Sequence, residues 1–268
     1  MISQLLTEYS PITLEQMHGV KLLNRIDTKY VTTVDKLALF LELAKDKYYA
    51  QDFHGRRLMP YHTIYLDTPD LKMYHDHQRG KKHRYKVRMR MYENEMEAFL
   101  EVKNKSNRGR TKKKRIEIPD LAYNVDDMQT FVEEKAPYDA TELIPTIENR
   151  FHRVTLVNKA KTERLTIDLD LQFHNLLNDN HKDMSQHVII ELKRDGLIPS
   201  SAIELLRQLR IRKCGFSKMA LGLAMTAPEV KQNLFKLRLH QIFKLEDYNK
   251  EESNLLKSNR YGRIRIDG

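Results

Sequence analysis

Arg84-Tyr85-Lys86-Val87-Arg88-Met89-Arg90-Met91-Tyr92 sets a cation at every second position, with Tyr85, Val87, Met89 and Met91 between them. A repeat of two is the signature of a β-strand, whose successive side chains point to opposite faces. One face of this strand is cationic and the other apolar. The same alternation runs through the neighbouring sequence. Glu101, Lys103 and Lys105 alternate with Leu100, Val102 and Asn104. Arg164, Thr166, Asp168 and Asp170 alternate with Leu165, Ile167, Leu169 and Leu171, and Glu191 and Lys193 with Ile190 and Leu192. The pattern predicts strands over 61–67, 84–92, 98–105, 113–118, 163–171 and 187–193.

Charge follows the same stretch. Between Arg79 and Arg115 there are fifteen Lys or Arg and four acids, a net of +11 in a chain whose total is +10. The whole excess therefore sits in one block, and a concentrated field of that sign attracts anions. Candidate partners are nucleic acid, an acidic membrane surface or a phosphate-rich small molecule.

Two arrangements of the charged faces are possible. An antiparallel sheet commonly turns its polar face to water. Four cations along one strand, with Lys103 and Lys105 on its hairpin neighbour, place like charges side by side, which destabilises a sheet unless an anion lies between them. If the apolar faces pack outward on helices and the charged faces line a closed barrel, the pattern becomes a ligand tunnel.

Helical spacing appears over 13–23 behind a Thr13 cap, and over 34–46 with Leu37, Phe40, Leu41 and Ala44 on one face. It recurs over 125–135 and over 200–213 behind Ser200, with Glu204 in the first turn. After Pro228, the run 229–245 carries Val230, Leu234, Leu237 and Phe243 at helical spacing and reads as the start of a C-terminal helical appendage. The boundaries expected are a tunnel domain over 1–227 and an extension over 228–268.

Several chemistries are set aside. No Gly-x-x-x-x-Gly-Lys-Ser/Thr loop is present, and nine glycines offer no phosphate cradle. The eleven histidines and Cys214 show no zinc-ligand spacing, and Asp179-Asn180-His181 reads as a loop between strands. Cys214, the one cysteine, excludes an internal disulfide and reads as a small core residue. The longest apolar runs, such as 37–41, are too short to cross a bilayer, and the N-terminus lacks the pattern of a signal peptide. Cytoplasmic residence is the expectation. What remains is Arg, Lys and a few carboxylates, which is nearly all that phosphoryl transfer asks of a protein.

Seven blocks, in order, resemble a known family: Asn24-Arg25-Ile26-Asp27-Thr28-Lys29-Tyr30, Tyr65-Leu66-Asp67-Thr68, Arg84 to Arg90, Phe99-Leu100-Glu101-Val102-Lys103, Glu163 to Asp168, Ile190-Glu191-Leu192-Lys193, and Cys214-Gly215-Phe216-Ser217-Lys218. The chain is similar to the VTC domain, the polyphosphate polymerase domain of the vacuolar transporter chaperone complex and its bacterial relatives, within the triphosphate tunnel metalloenzyme superfamily. The resemblance implies an α+β fold built on a closed antiparallel β-barrel tunnel with flanking helices. It also implies an enzyme that makes polyphosphate from ATP with Mn2+ or Mg2+.

By motif, the resemblance assigns Lys29 and Lys218 to phosphates near the reacting end, and Arg88, Arg90 and Lys103 to a clamp on the nucleotide or chain. Arg153 and Arg164 would hold phosphates from the far wall, Ser217 would donate a hydrogen bond, and Glu191 would hold the metal. Lys86, Lys105, Arg115 and Lys193 complete the expected phosphate-binding set, while Glu101 and Asp168 position or pair with the tunnel bases. Two positions depart from the superfamily. Hydrolases carry Glu-x-Glu-x-Lys where this chain reads Arg25-Ile26-Asp27-Thr28-Lys29, which favours the polymerase branch. Phe151 stands where a tyrosine is common.

The expected ligands are ATP and polyphosphate or tripolyphosphate, with no specific nucleic acid and, for export of product, a separate membrane protein. Three other readings stay open: a tripolyphosphate or nucleoside triphosphate hydrolase, a polyphosphate-binding module without turnover, and a basic nucleic-acid-binding module. Taken alone, Glu191 and Lys193 read equally as an inward ion pair or a metal site, Lys29 as a surface or a functional lysine, and the run from Lys112 to Arg115 as a solvated basic turn or part of the site.

Overall fold

Among the described residues the chain forms eleven strands. They are β1 (Ser10–Ile12), β2 (Arg25–Thr33), β3 (Tyr48–Gln51), β4 (Met59–Asp67), β5 (Arg84–Tyr92), β6 (Glu97–Lys105), β7 (Thr111–Ile118), β8 (Ile144–Asn158), β9 (Glu163–Asn175), β10 (His181–Met184) and β11 (His187–Asp195). Helices α1 (Ile2–Thr7), α2 (Leu14–His18), α3 (Val34–Ala44), α4 (Lys72–Gln78), α5 (Val125–Lys135), α6 (Ser201–Gln208) and α7 (Lys218–Thr226) surround or enter the sheet. The structure is a computed structural model that describes residues 1–18, 25–93, 96–107, 111–122, 124–196 and 198–245. The expected helix over 13–23 is described only as α2, and residues 246–268 of the expected appendage lie outside the described residues.

Side-chain caps start the helices where the sequence places them. Thr33 Oγ1 accepts from Lys36 N at the head of α3, Ser200 Oγ from Ile203 N at α6, and Ser217 Oγ from Ala220 N at α7. The helix expected to reach residue 213 stops at Gln208. Arg210 takes left-handed backbone (φ 55), and Ile211 N returns to Leu206 O at 2.8 Å, closing a Schellman-type end.

Eight strands form one antiparallel path in the order β2-β11-β9-β8-β4-β5-β6-β7. The closed barrel expected from the sequence is corrected here. Among the described residues β2 and β7 are the two ends of this path and are not hydrogen-bonded to each other, so backbone pairing does not close the sheet. The sheet nevertheless curls until its ends face one another. One cavity is lined by Lys29 of β2 and by Lys113 and Arg115 of β7. The outer edge of β2 is met by the segment after α6, through a bridge of Tyr30 with Lys213 and a Cys214 N–H donated to Lys29 O at 2.9 Å.

The concave face changes character along its length. On β8 the residues Ile147, Asn149, Phe151, Arg153 and Thr155 share one face, apolar at one end and polar at the other. A bulge keeps β9 in step: the pairing passes from Arg150–Gln172 to His152–Leu169, and Asp170 sits at φ 54. Asp168 therefore pairs with Arg153 and Phe173 with Asn149, all on the concave side. Asp170, expected on the face of Asp168, is displaced outward and faces His152 at 3.1 Å.

Helix α7 fills the apolar end of the curl. Gly222 lets it approach closely: a Cβ there would lie 2.7 Å from the Phe173 ring and 3.2 Å from Ile147. On the convex side, α1, α3 and α6 pack on Leu156, Leu165, Ile167, Ile190 and Leu192, so the apolar half of each alternation is spent against helices. Burial of each large aliphatic or aromatic side chain there contributes roughly 1.5–3 kcal/mol. Residues 236–245 are helical, and Phe235, Leu239 and Ile242 are buried in the cluster that also holds α4 and α7.

Candidate functional site

The polar end of the curl is a cavity of about 810 Å³. Its lining draws on strands from every part of the sheet path and counts twelve Lys and Arg against three carboxylates, Asp27, Glu97 and Glu191. Eleven of the site residues expected from sequence line it: Lys29, Lys86, Arg88, Arg90, Lys103, Lys105, Arg115, Arg153, Arg164, Glu191 and Lys193. The other two, Ser217 and Lys218, stand where α7 begins and contact the set from one end. Ser217 Oγ accepts from Lys86 Nζ at 2.6 Å, Lys29 Nζ donates to Phe216 O at 2.9 Å, and Lys218 pairs with Asp168.

Three carboxylates neutralise part of this charge. Glu101, with no exposed surface, holds Arg88 Nε at 2.6 Å and Lys113 Nζ at 2.6 Å. Asp168 receives Arg153 at both oxygens, at 2.6 and 2.8 Å, together with Lys218. Glu191 pairs with Lys193 and has Lys29 Nζ 3.7 Å from its other oxygen. Burial alone would push these carboxyls up, but Arg88, Arg90 and Lys113 around Glu101 hold it well below the usual range. Arg153 and Lys218 do the same for Asp168, and Lys29, Lys193 and Arg153 for Glu191.

Among the described residues no carboxylate lies within ion-pair distance of Lys86, Arg90 or Lys103, which stand together on β5 and β6. Arg88, then burial, then Arg90 depress the Lys103 ammonium well below its ordinary value. Burial, with Lys29 and Arg84 next, brings Lys86 down to about 7, and burial with Arg88 and Arg153 lowers Arg90 to about 10. Lys218 falls to about 7 through burial, against the pull of Asp168. Lys29 acts on both Lys86 and Lys103 although it stands at the opposite end of the sheet path, so the curl brings both ends to one electrostatic site. An anion with several acceptor oxygens would supply counter-charge at such a site.

Sequence reasoning missed an aromatic floor. Tyr61 and Phe151 stack at 5.2 Å. Arg153 lies 4.9 Å from the Tyr61 ring, Arg90 lies 5.4 Å from it, and Lys218 Nζ is 4.1 Å from the Phe151 ring. Phe151 thus bears a cation on its face in place of a tyrosine hydroxyl contact. Thr63 and Tyr65 accept from Arg90 and Arg88 at 3.1 and 3.4 Å. Their signal was the shared face of 61, 63 and 65 on a strand already expected. The run Lys112 to Arg115 lies on β7, not in a turn, and only Lys113 and Arg115 line the cavity.

A divalent ion can find one carboxylate here, since the Glu191 oxygen facing Lys29 at 3.7 Å retains free acceptor capacity. Mg2+ and Mn2+ often bind through one or two carboxylates plus substrate phosphates, so the donor set fits a metal arriving with its phosphate ligand. The histidines show no zinc-ligand spacing along the chain, yet on the outer surface His174, Asp179 and His181 bring one donor atom each within 4.8 Å of the others. A hairpin register, not helical spacing, assembles them. Cys214 is half-buried, and burial raises its thiol, as for a packing residue.

A family model for the VTC domain matches residues 24–227. None of the curated proteins matches this chain. Among solved structures, a putative adenylate cyclase from Vibrio parahaemolyticus is 14% identical, with 75% of this chain and 99% of that one covered and a TM-score of 0.42. The PH1819 protein from Pyrococcus horikoshii OT3 is 14% identical over 75% and 99% of the two chains, with a TM-score of 0.43. The putative adenylyl cyclase HpAC1 from Hippeastrum, whose description cites a dominant triphosphatase activity, is 14% identical over 75% and 96%, with a TM-score of 0.46. None of these structural likenesses bears on what this chain binds.

Proposed function

This chain belongs to the VTC domain family, and we propose that its basic channel is a polyphosphate polymerase site that transfers the terminal phosphate of ATP to a growing polyphosphate chain. The observation that carries this reading is the trio Lys86, Arg90 and Lys103, with no carboxylate in ion-pair contact among the described residues, facing Lys29 across the curl. A site of fixed cations too close for one another's comfort is complementary to a ligand with one negative charge per repeating unit.

In the transfer, the bond between the terminal phosphorus of ATP and its bridging oxygen breaks and ADP leaves. A bond forms to an end oxygen of the acceptor chain, which grows by one phosphate. Arg88, Arg90 and Lys103 clamp the non-bridging oxygens from one wall, and Arg153 and Arg164 from the other. Lys29, Lys86, Ser217 and Lys218 converge at the plugged end, where α7 begins, and Lys105, Arg115 and Lys193 line the run of the chain. Charge neutralisation and in-line positioning supply most of the acceleration in such transfers. Glu191 would hold Mn2+ or Mg2+, which when bound offsets the charge on the phosphates.

Aromatic placement disfavours the nucleic-acid reading. Tyr61 and Tyr92 line the cavity, but Tyr61 is already stacked on Phe151 and faces Arg90 and Arg153. Tyr92 meets Tyr61 and Phe99, and Tyr85 packs against Tyr138 on the other side of β5, so among the described residues no ring of the cavity is left as a base-stacking platform. Among the described residues no helix is long and apolar enough to cross a membrane. Export of product from a cytoplasmic enzyme would fall to a separate membrane protein.

Incubation with ATP and Mn2+, followed by electrophoretic sizing of the products, tests the proposal. Polyphosphate chains that lengthen with time are expected, and Glu191→Gln should lose at least roughly tenfold in turnover while tripolyphosphate still binds. Release of orthophosphate alone would assign hydrolysis instead, and binding of tripolyphosphate with no turnover of any kind would reduce the protein to a binding module.

A further inference from the structure

Outside the channel, the β9–β10 hairpin gathers a second set of ligand-type side chains that the phosphate chemistry does not use. We propose that His174, Asp179 and His181 form a binding site for a borderline divalent transition-metal ion of the Zn2+ class. It is distinct from the oxygen-ligand site at Glu191 and independent of the polymerase reading.

Strand register puts the two histidines together. His174 and His181 are direct cross-strand partners, and their rings stack with centroids 4.2 Å apart and planes 9° apart. Asp179 takes left-handed backbone in the turn between them (φ 60). Its Oδ1 lies 2.7 Å from His174 Nε2 and 3.7 Å from His181 Nε2. All three donor atoms fall within 4.8 Å of one another. Ligand atoms around a tetrahedral Zn2+ lie roughly 3.3–3.5 Å apart, from bond lengths of about 2.0–2.2 Å. To reach that spacing the side chains would open the 2.7 Å contact and close the wider ones.

The frame around the donors is already fixed. Asn178 and Asn180 donate to the Thr226 carbonyl at 3.0 and 2.9 Å, and Asn175 donates to the Thr226 hydroxyl at 3.2 Å, so the turn is tied to the end of α7. Behind His174, Glu148 Oε2 lies 3.8 Å from Nδ1, and Arg150 holds Glu148 at 2.9 Å. A carboxylate behind the far nitrogen of a ligating histidine is the usual outer layer of such centres, since it orients the ring and raises its basicity. Two imidazoles and one carboxylate suit Zn2+, Ni2+ or Cu2+ better than Mg2+ or Mn2+, which favour all-oxygen sets. Asp179 and His181 are exposed, leaving a fourth position for water. A bound ion would clasp β9, β10 and their turn, and through Thr226 the helix whose other end carries Ser217 and Lys218.

The test is calorimetric titration of the full chain with Zn2+ in excess Mg2+, which occupies oxygen-ligand sites first. One equivalent of Zn2+ is expected for the wild type, with a rise in melting temperature. His181→Ala, at an exposed position, should keep the metal-free melting temperature and lose at least roughly tenfold in Zn2+ affinity. Glu148→Gln, in the outer layer, should weaken binding about 10- to 100-fold. Co2+ in place of Zn2+ should give visible absorption bands that His181→Ala abolishes. The proposal is overturned if the wild type takes up no Zn2+ in excess Mg2+, or if His181→Ala binds Zn2+ as tightly as the wild type. In either case the trio is a hydrogen-bonded hairpin turn and nothing more.

Discussion

Asp168→Ala is expected to lower the melting temperature of the ligand-free protein by about 10 °C, the scale set by losing one partner of a buried ion cluster in a chain of this size. Asp168 is 4% exposed and holds Arg153 at two oxygens and Lys218 at one. Removing it leaves a guanidinium and an ammonium facing each other at the plugged end of the curl, beside the Phe151 and Tyr61 rings and with Glu191 still acting on Arg153. Burial already drives Lys218 down to about 7 while Asp168 is present, so without it the lysine should shed its proton near neutral pH. Asp168→Asn retains the shape and one acceptor but not the charge, and should fall between the wild type and Asp168→Ala. Thermal unfolding followed by circular dichroism measures both. An unchanged melting temperature would mean that water, not Asp168, solvates the two cations, and that α7 does not seal this end.

Lys103→Met should act in the opposite direction on stability and strongly on binding. Lys103 has Arg88, Arg90 and Lys29 as cationic neighbours, with Glu101 pulling the other way but no carboxylate in ion-pair contact among the described residues. Taking away its charge relieves repulsion, so the ligand-free protein should melt at the same temperature or higher. A charge-assisted contact with phosphate is worth about 1.5–3 kcal/mol, so tripolyphosphate affinity should drop roughly 10- to 100-fold. Lys112→Met is the control, because Lys112 sits on the same hairpin but outside the lining of the cavity. Calorimetric titration at fixed ionic strength separates the two, since screening would otherwise blur the comparison. Equal losses for both variants would point to diffuse attraction by the basic block and not to a defined site.

These opposite signs explain how much of the site could be read from the chain. Arg84, Lys86, Arg88 and Arg90 keep one period of two from end to end of β5, and their apolar partners keep the other, so that strand and its two faces were legible. Lys103 and Lys105 follow the same rule on β6. Strand β8 was not legible, because its concave side changes from Ile147 and Phe151 to Arg153 and Thr155 while its convex side changes from Glu148 and Arg150 to Val154 and Leu156. The two alternations exchange faces halfway, at the level where the start of α7 meets the channel, and no single period describes them. Strand β9 hides the same transition behind a bulge at Asp170, which shifts the pattern by one residue and turns outward a carboxylate that the alternation places on the face of Asp168.

The open ends of the sheet path were also beyond reach of strand patterns. Each strand's faces can be inferred from its own residues, but whether β2 hydrogen-bonds to β7 depends on curvature accumulated over the whole sheet. Resemblance to the family supplied Lys29, Ser217 and Lys218 as site residues, which no periodicity singles out. The structure gives the physical reason for grouping them: residues 213–218 run along β2, and the start of α7 then meets Lys86 of β5 and Asp168 of β9. The His174–Asp179–His181 set arises from hairpin pairing, which spacing rules written for helices and loops do not detect.

The cationic faces of β5 and β6 and the facing Lys29 of β2 are expected to bind one phosphate chain between them. A crystal structure of the protein with tripolyphosphate tests this most directly. The anion is expected inside the curl, with its oxygens within hydrogen-bond distance of Lys86, Arg90, Lys103 and Lys29. Tripolyphosphate found instead on the outer face of β7 at Lys112 and Lys114, with the channel side chains left to water, would contradict it.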